Sequence, residues 1–155
     1  MNMSDVQKLM NVPEFYTFVL NVDSNFDCSS GYASWLDSQF NIHSQLVDPN
    51  IRNLHFWDED IKNNRVGSCI LLGRVLVVVT RVNDSETLTP EVLDECIANV
   101  RKVVDHHHIA HLAYPHIGYD NGITADQLMT IFNKHFAYNG YTGQYCLLLP
   151  LEVIN

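Results

Sequence analysis

Tyr114-Pro115-His116-Ile117-Gly118-Tyr119-Asp120-Asn121-Gly122 is the stretch on which the reading of this chain turns. It follows a short apolar run over 108–113 that the pattern predicts as a buried strand, and it precedes a helix start at Thr124. A strand that ends in a glycine-bearing turn and then feeds a helix brings unpaired backbone N–H groups and the positive end of the helix dipole together. Glycine also lets a ligand come close to the main chain. In open α/β sheets ligands gather outside the carboxyl ends of the strands for these reasons. A second turn of the same kind, Asp23-Ser24-Asn25-Phe26-Asp27-Cys28-Ser29-Ser30-Gly31, lies near the start of the chain.

Working outward, each turn sits inside a strand-turn-helix unit. Residues 16–22 are β-rich and almost continuously apolar, which predicts a strand covered on both faces. Beyond Gly31, the residues Tyr32, Trp35, Leu36 and Phe40 fall on one helical stripe. After the second turn, Thr124 and Gln127 have the spacing of a capping box, and Leu128, Ile131, Phe132, His135 and Phe136 form the buried stripe of that helix. Between the units, 67–72 and 74–80 are two β-runs meeting at Gly73 as a tight hairpin, with 75–79 expected as the central strand. Thr89-Pro90-Glu91 then marks a helix start that runs to about Asp105. A short helix over 4–11 and a last strand over 145–149, closed by Pro150, complete the set. The stretch 41–64 has no clean period and is expected to be surface loop, with an edge strand or a helical turn around Leu54 to Trp57, walling one side of a cleft. The predicted fold is α/β: a three-layer α/β/α sandwich with a mixed, mostly parallel central sheet, in a single domain over 1–155.

Composition narrows the function. With 46% hydrophobic and 17% charged residues the chain has the makeup of a globular domain. A net charge of −9 argues against general nucleic-acid binding, which needs a basic face. It leaves room for a small anion held by local amides. The four cysteines, Cys28, Cys69, Cys96 and Cys146, are far apart and form no Cys-x-x-Cys pair, so reduced thiols in the cytoplasm are expected. No segment is long and apolar enough to suggest a membrane span. His106, His107, His108 and His111 do not converge simply on one ion, and no metal or cofactor is expected.

The order and spacing of the two turns resemble the macro domain, the ADP-ribose-binding module. The nearest branch is that of the small hydrolases of ADP-ribosylated acids and phosphatases of ADP-ribose phosphate ester. Residues 22–33 align without a gap with that branch's first loop, usually Val-Ser-x-Asp-x-x-x-Gly-x-Gly-Ile-Ala. Val79-Thr80-Arg81 stands where the branch has a strand ending in Thr-Lys, and Ala113-Tyr114-Pro115-His116-Ile117-Gly118 stands at its Met-Pro-Arg-Ile-Gly turn. Leu88-Thr89-Pro90 matches the next segment, so the resemblance covers 16 to the C-terminus. There are departures. No Gly-Asp opens the first strand, Asn25 replaces an Asp, and Ser29 replaces a glycine. Arg81 takes the place of the lysine, and Gly122 falls at the family's catalytic aspartate with Asp120 two residues early.

The resemblance implies that the Ser30, Gly31 and Tyr32 amides face one phosphate, while 118–121 face the other phosphate and the distal ribose. Asp23 and Asn25 are expected to read base or ribose hydroxyls or to cap their own loop. Ser29, Arg81, Pro115 and Gly122 line the same site, and Tyr119 and Tyr141 are candidates to stack on ligand rings. His116 is expected as a donor to a ribose or phosphate oxygen; with Asp120 it is also the candidate acid/base pair. An arginine stays protonated and is a poor nucleophile, so Arg81 favours binding and sequestering over the family's covalent hydrolysis. The alternatives are an ADP-ribosyl hydrolase or ADP-ribose phosphate-ester phosphatase, and a macro fold that serves only as a protein-contact module. Oligomeric state is not legible.

Overall fold

A computed structural model describes residues 3–29, 31–50, 66–83 and 86–148. The five strands are β1 (Thr17–Asp23), β2 (Cys69–Leu72), β3 (Val75–Arg81), β4 (His111–Tyr114) and β5 (Gln144–Leu147). They form one sheet in the order β2-β3-β1-β4-β5. The β2–β3 hairpin is antiparallel and every other pairing is parallel, so the sheet is mixed and mostly parallel as expected. The hairpin turns at Gly73, whose φ of +61° suits glycine.

Helices cover both faces. On one side lie α1 (Met3–Met10), α2 (Gly31–Phe40) and α3 (Ile42–Val47); on the other lie α4 (Pro90–His106) and α5 (Ala125–His135). Because strand residues alternate, β1 feeds two cores at once. Phe18, Leu20 and Val22 pack with Leu36, Ile42 and Leu46, whereas Val19 packs with Leu93, Ile97, Val100, Leu112 and Phe132. Tyr114 of β4 stacks on Phe132 of α5 at 3.6 Å between ring centroids, fixing that helix to the strand that carries the second turn.

Two expectations change. The central strand is β1, not 75–79: β3 is one place out, with β2 at its outer side. Both runs are buried on both faces, so periodicity cannot rank them. The stretch from 41 contains α3, started by Asn41 in the left-handed region (φ 53°) and anchored only by Ile42 and Leu46, too short a stripe to read as helical. The rest of that stretch from 51 onward, and the strand end at 149–150, lie outside the described residues. Among those residues no helix is long and apolar enough to cross a membrane.

The capping signals hold in detail. Thr89 Oγ1 accepts from the Val92 amide, and Thr124 and Gln127 make both bonds of the capping box. The helices α4 and α5 are also clasped by Asp94, which accepts from Lys134 Nζ at 3.1 Å and lies 2.9 Å from His135 Nε2. Burial alone would raise the Asp94 carboxyl. The hydrogen bonds from His135 and Lys134 outweigh it and hold the group below the usual carboxylate range. A carboxyl with a depressed folded-state pKa stabilises fully above its unfolded value of about 4 and loses that contribution as pH falls through the folded value. Asp94→Asn is therefore expected to cost less than about 1 kcal/mol at neutral pH, the scale of a partly exposed pair. Denaturant melts of the two proteins should converge as the pH drops below about 4 and through the depressed folded-state value.

Candidate functional site

The parallel pairing of β1 with β3 and β4 sends three carboxyl ends to one rim. The first loop leaves β1 there and the second turn leaves β4 there, so the two sequence motifs share an edge. A pocket of about 100 Å³ opens at this rim, lined by Asn21, Thr80, Arg81, Leu88, His116, Gly118, Tyr119, Asp120 and Asn121. This is smaller than the few hundred Å³ of a drug-sized site.

The second turn is built tightly. Gly118 has φ +84° and opens a single 3₁₀ turn, Tyr119–Asn121, which Gly122 closes at φ +77°. The amides of Tyr119, Asn121, Gly122 and Ile123 bond carbonyls within the turn, to His116, Gly118, Tyr119 and Gly118 respectively. Two of the four amides expected to face a phosphate, those of Tyr119 and Asn121, are thus already engaged. Among the described residues no such bond takes the Gly118 amide. Asn121 Oδ1 accepts from the Leu88 amide at 3.0 Å and so ties the turn to the segment leading into α4. Pro115 is buried and shapes the turn without lining the pocket.

His116 lines the pocket with Nε2 2.6 Å from the Ile123 carbonyl. A carbonyl only accepts, so Nε2 carries the proton, and the neutral ring offers Nδ1 as an acceptor. Nδ1 is thus the ring nitrogen left to meet a ribose or phosphate oxygen. Tyr119, 68% exposed, sets its ring edge-on to His116 at 5.3 Å. Arg81 and Asp120 place opposite charges in the same lining.

The first loop is capped by its own carboxylate. A register slip between Val22 and Asp23 sets Asp23 opposite Arg81. Asp23 is buried, and its Oδ1 accepts from the Asn25 and Asp27 amides at 3.0 and 3.3 Å. Loop capping, one of the two roles expected for it, is thus the one its geometry displays. Asn25 and Ser29 are exposed, and Ser29 bonds Asp27 through both its amide and its hydroxyl. Ser30 lies outside the described residues. Gly31 needs no special backbone, and a Cβ there would meet nothing within 4 Å. The Tyr32 side chain is buried, donating to the Val19 carbonyl at 2.7 Å, so only its amide remains for a ligand. Cys28 is buried too. Burial, with Asp37, Asp27 and Asp23 nearby, pushes its thiol up to about 12, which disqualifies it as a nucleophile.

Tyr141 does not join this group. Its hydroxyl donates to the Ile109 carbonyl, before the start of β4, which puts it at the opposite edge of the sheet. Sequence spacing could not show this, because Tyr141 precedes β5 just as Ile109 precedes β4. Conversely, the sequence reading leaves Asn21, Thr80 and Leu88 out of the site. Asn21 had a signal: it is the one polar residue inside the apolar run of β1. Among the described residues no group of three His, Cys, Asp or Glu side chains could hold a metal ion, and all four cysteines are free.

The five-stranded mixed sheet with helices on both faces is a macrodomain fold by comparison with solved structures. No protein-family model matches the sequence, and no curated protein matches it either. Solved structures do. The macrodomain of Mycobacterium tuberculosis DarG matches with a TM-score of 0.70 at 12% identity, covering 92% of this chain and 93% of that one. The macrodomain of Thermus aquaticus DarG matches at 0.66 and 12%, with the same coverage. Thermosipho africanus DarTG, solved in complex with ADP-ribose, matches at 0.62 and 13%, over 89% of this chain and 39% of that one. Identities this low attest the fold.

The two turn glycines should respond differently to alanine. At Gly118 a Cβ would lie 2.5 Å from Ile123 Cδ1 and 3.0 Å from its Cβ, on a left-handed backbone. Gly118→Ala is expected to cost on the order of 1–3 kcal/mol, whereas Gly31→Ala leaves stability unchanged or slightly raised. Paired thermal melts check both.

Proposed function

We propose that this chain binds ADP-ribose, or a nucleotide derived from it, at the carboxyl rim of the sheet and sequesters it. The observation that carries the reading is the meeting of Arg81, His116 and the left-handed Gly118 turn in one pocket, on the rim that also bears the first loop. Arg81 supplies a permanent positive charge for a phosphate. His116, with Nε2 bound to the Ile123 carbonyl, turns Nδ1 to a ribose hydroxyl, and Asn21 and Thr80 add polar groups to the lining. Gly31 leaves open space through which a diphosphate reaches the start of α2. The ADP-ribose complex of the DarTG structure supports the choice of ligand.

Sequestering follows from what the pocket lacks in the covalent route. Arg81 stands at the strand end in place of a lysine, and a guanidinium does not attack a sugar carbon. A second reading, hydrolysis of an ADP-ribose derivative, rests on the free Nδ1 of His116, which could take a proton from a water held beside Asp120.

Titration calorimetry of the protein with ADP-ribose is expected to give saturable heat, and none at millimolar ligand would leave only a protein-contact role for the fold. Gly31→Val should fold normally and bind at least about tenfold more weakly, by blocking approach to the main chain. Chromatography of ADP-ribose and its phosphate ester after incubation is expected to show no released ribose or phosphate. Turnover that Arg81→Ala abolishes would overturn the sequestering reading.

A further inference from the structure

We propose that His43 is a positioning residue for the first loop: its Nδ1–H, presented from the α2–α3 corner, holds the left-handed residue Phe26 around which that loop turns. The consequence for ligand rests on the ADP-ribose reading above; the consequence for the loop does not.

Phe26 is a bulky residue at φ 59°, a conformation that L side chains avoid and that surrounding contacts must enforce. From inside the loop, the Phe26 amide donates to the Asp23 carbonyl at 3.0 Å, and its ring is buried in the core beneath α2 and α3. That leaves the Phe26 carbonyl directed at the corner between the two helices. There it accepts from His43 at 2.6 Å, and the Cys28 thiol approaches the same oxygen at 3.5 Å. The carbonyl can only accept, so the proton resides on Nδ1.

His43 is itself fixed. Asn41 adopts φ 53° to turn the chain out of α2, and Asp37 Oδ1 on α2 accepts the His43 amide at 2.8 Å. A short relay therefore runs from α2 through Asp37 and His43 to Phe26 and Cys28. Its far end is the loop that precedes the α2 N-terminus, where the proposed phosphate would lie. The side chain of His43 is exposed, so replacing it removes this bond without opening a hole in the core.

The test compares His43→Leu with His43→Asn in the full chain, because the asparagine amide places a donor near the position of Nδ1 and leucine places none. Two readouts are taken: the iodoacetamide alkylation rate of Cys28, resolved from the other cysteines by peptide mass spectrometry, and ADP-ribose affinity by calorimetry. His43→Leu is expected to raise Cys28 alkylation about tenfold with Cys69 and Cys96 unchanged, and to weaken ADP-ribose about tenfold. His43→Asn is expected to return both to within about threefold of the parent. Alkylation of Cys28 at the parent rate in His43→Leu, or an asparagine variant that behaves like leucine, overturns the proposal. A parent protein that binds no ADP-ribose refutes the functional reading and leaves the alkylation rates to decide this one.

Discussion

The parallel pairing of β1 with a neighbour on each side constrains everything else in the molecule. Its register sets Phe18 opposite Val75 and Thr17 opposite Leu112, and the chain must cross from one rim to the other between successive parallel strands. The helices that make those crossings cover both faces, so the strands must be apolar on both sides along most of their length. On the face covered by α4 and α5, β1 presents Val19 and then Asn21, while β3 presents Leu76, Val78 and then Thr80. In register Asn21 lies opposite Val78, so apolar packing ends one inward-facing residue earlier on β1 than on β3, and the pocket begins along that step. The site is what remains when the core runs out at the carboxyl rim.

Both loops above that level are braced by bonds that keep their backbones from collapsing into the gap. The first is closed by the Asp23 carboxylate and by the His43 bond to Phe26. The second is closed by its own amides and by Asn121, which reaches across to Leu88. This bracing has an electrostatic side. A chain of net charge −9 offers no general attraction to an anion. Affinity for a phosphate must come from fixed short-range donors, and a guanidinium at a strand end beside a rigid turn is such an arrangement.

Local chemistry was legible in the sequence. The capping box at Thr124 and Gln127, the proline-started α4, the turn at Gly73 and the two strand-turn-helix units all follow from residues within one turn of each other. What depended on distant pairing was not. Nothing in the runs of β1 and β3 says which is central, since both are buried on both faces. Tyr141 and Tyr119 look alike as aromatic residues in glycine-bearing turns, yet the parallel alignment of β5 with β4 puts them at opposite edges. The consumption of the second turn's amides was equally hidden, because a 3₁₀ turn and an open anion nest share the same glycines. His43 carried no signal at all, as its partner lies seventeen positions away.

The pocket's chemistry bears on whether capture or cleavage is the better reading. Covalent attack on a sugar carbon needs a nucleophile that is deprotonated and within reach. Arg81 keeps its charge, and Cys28 is buried with its thiol pushed up to about 12. His116 has one nitrogen committed to the Ile123 carbonyl, which fixes the ring and leaves a single lone pair. That lone pair can take a proton from a hydroxyl or a water, so catalysis would have to pass through solvent. On the ADP-ribose reading proposed above, the ligand and that water would both have to sit in this one pocket. Holding a ligand and attacking it are then alternatives at this site, and the groups present favour holding.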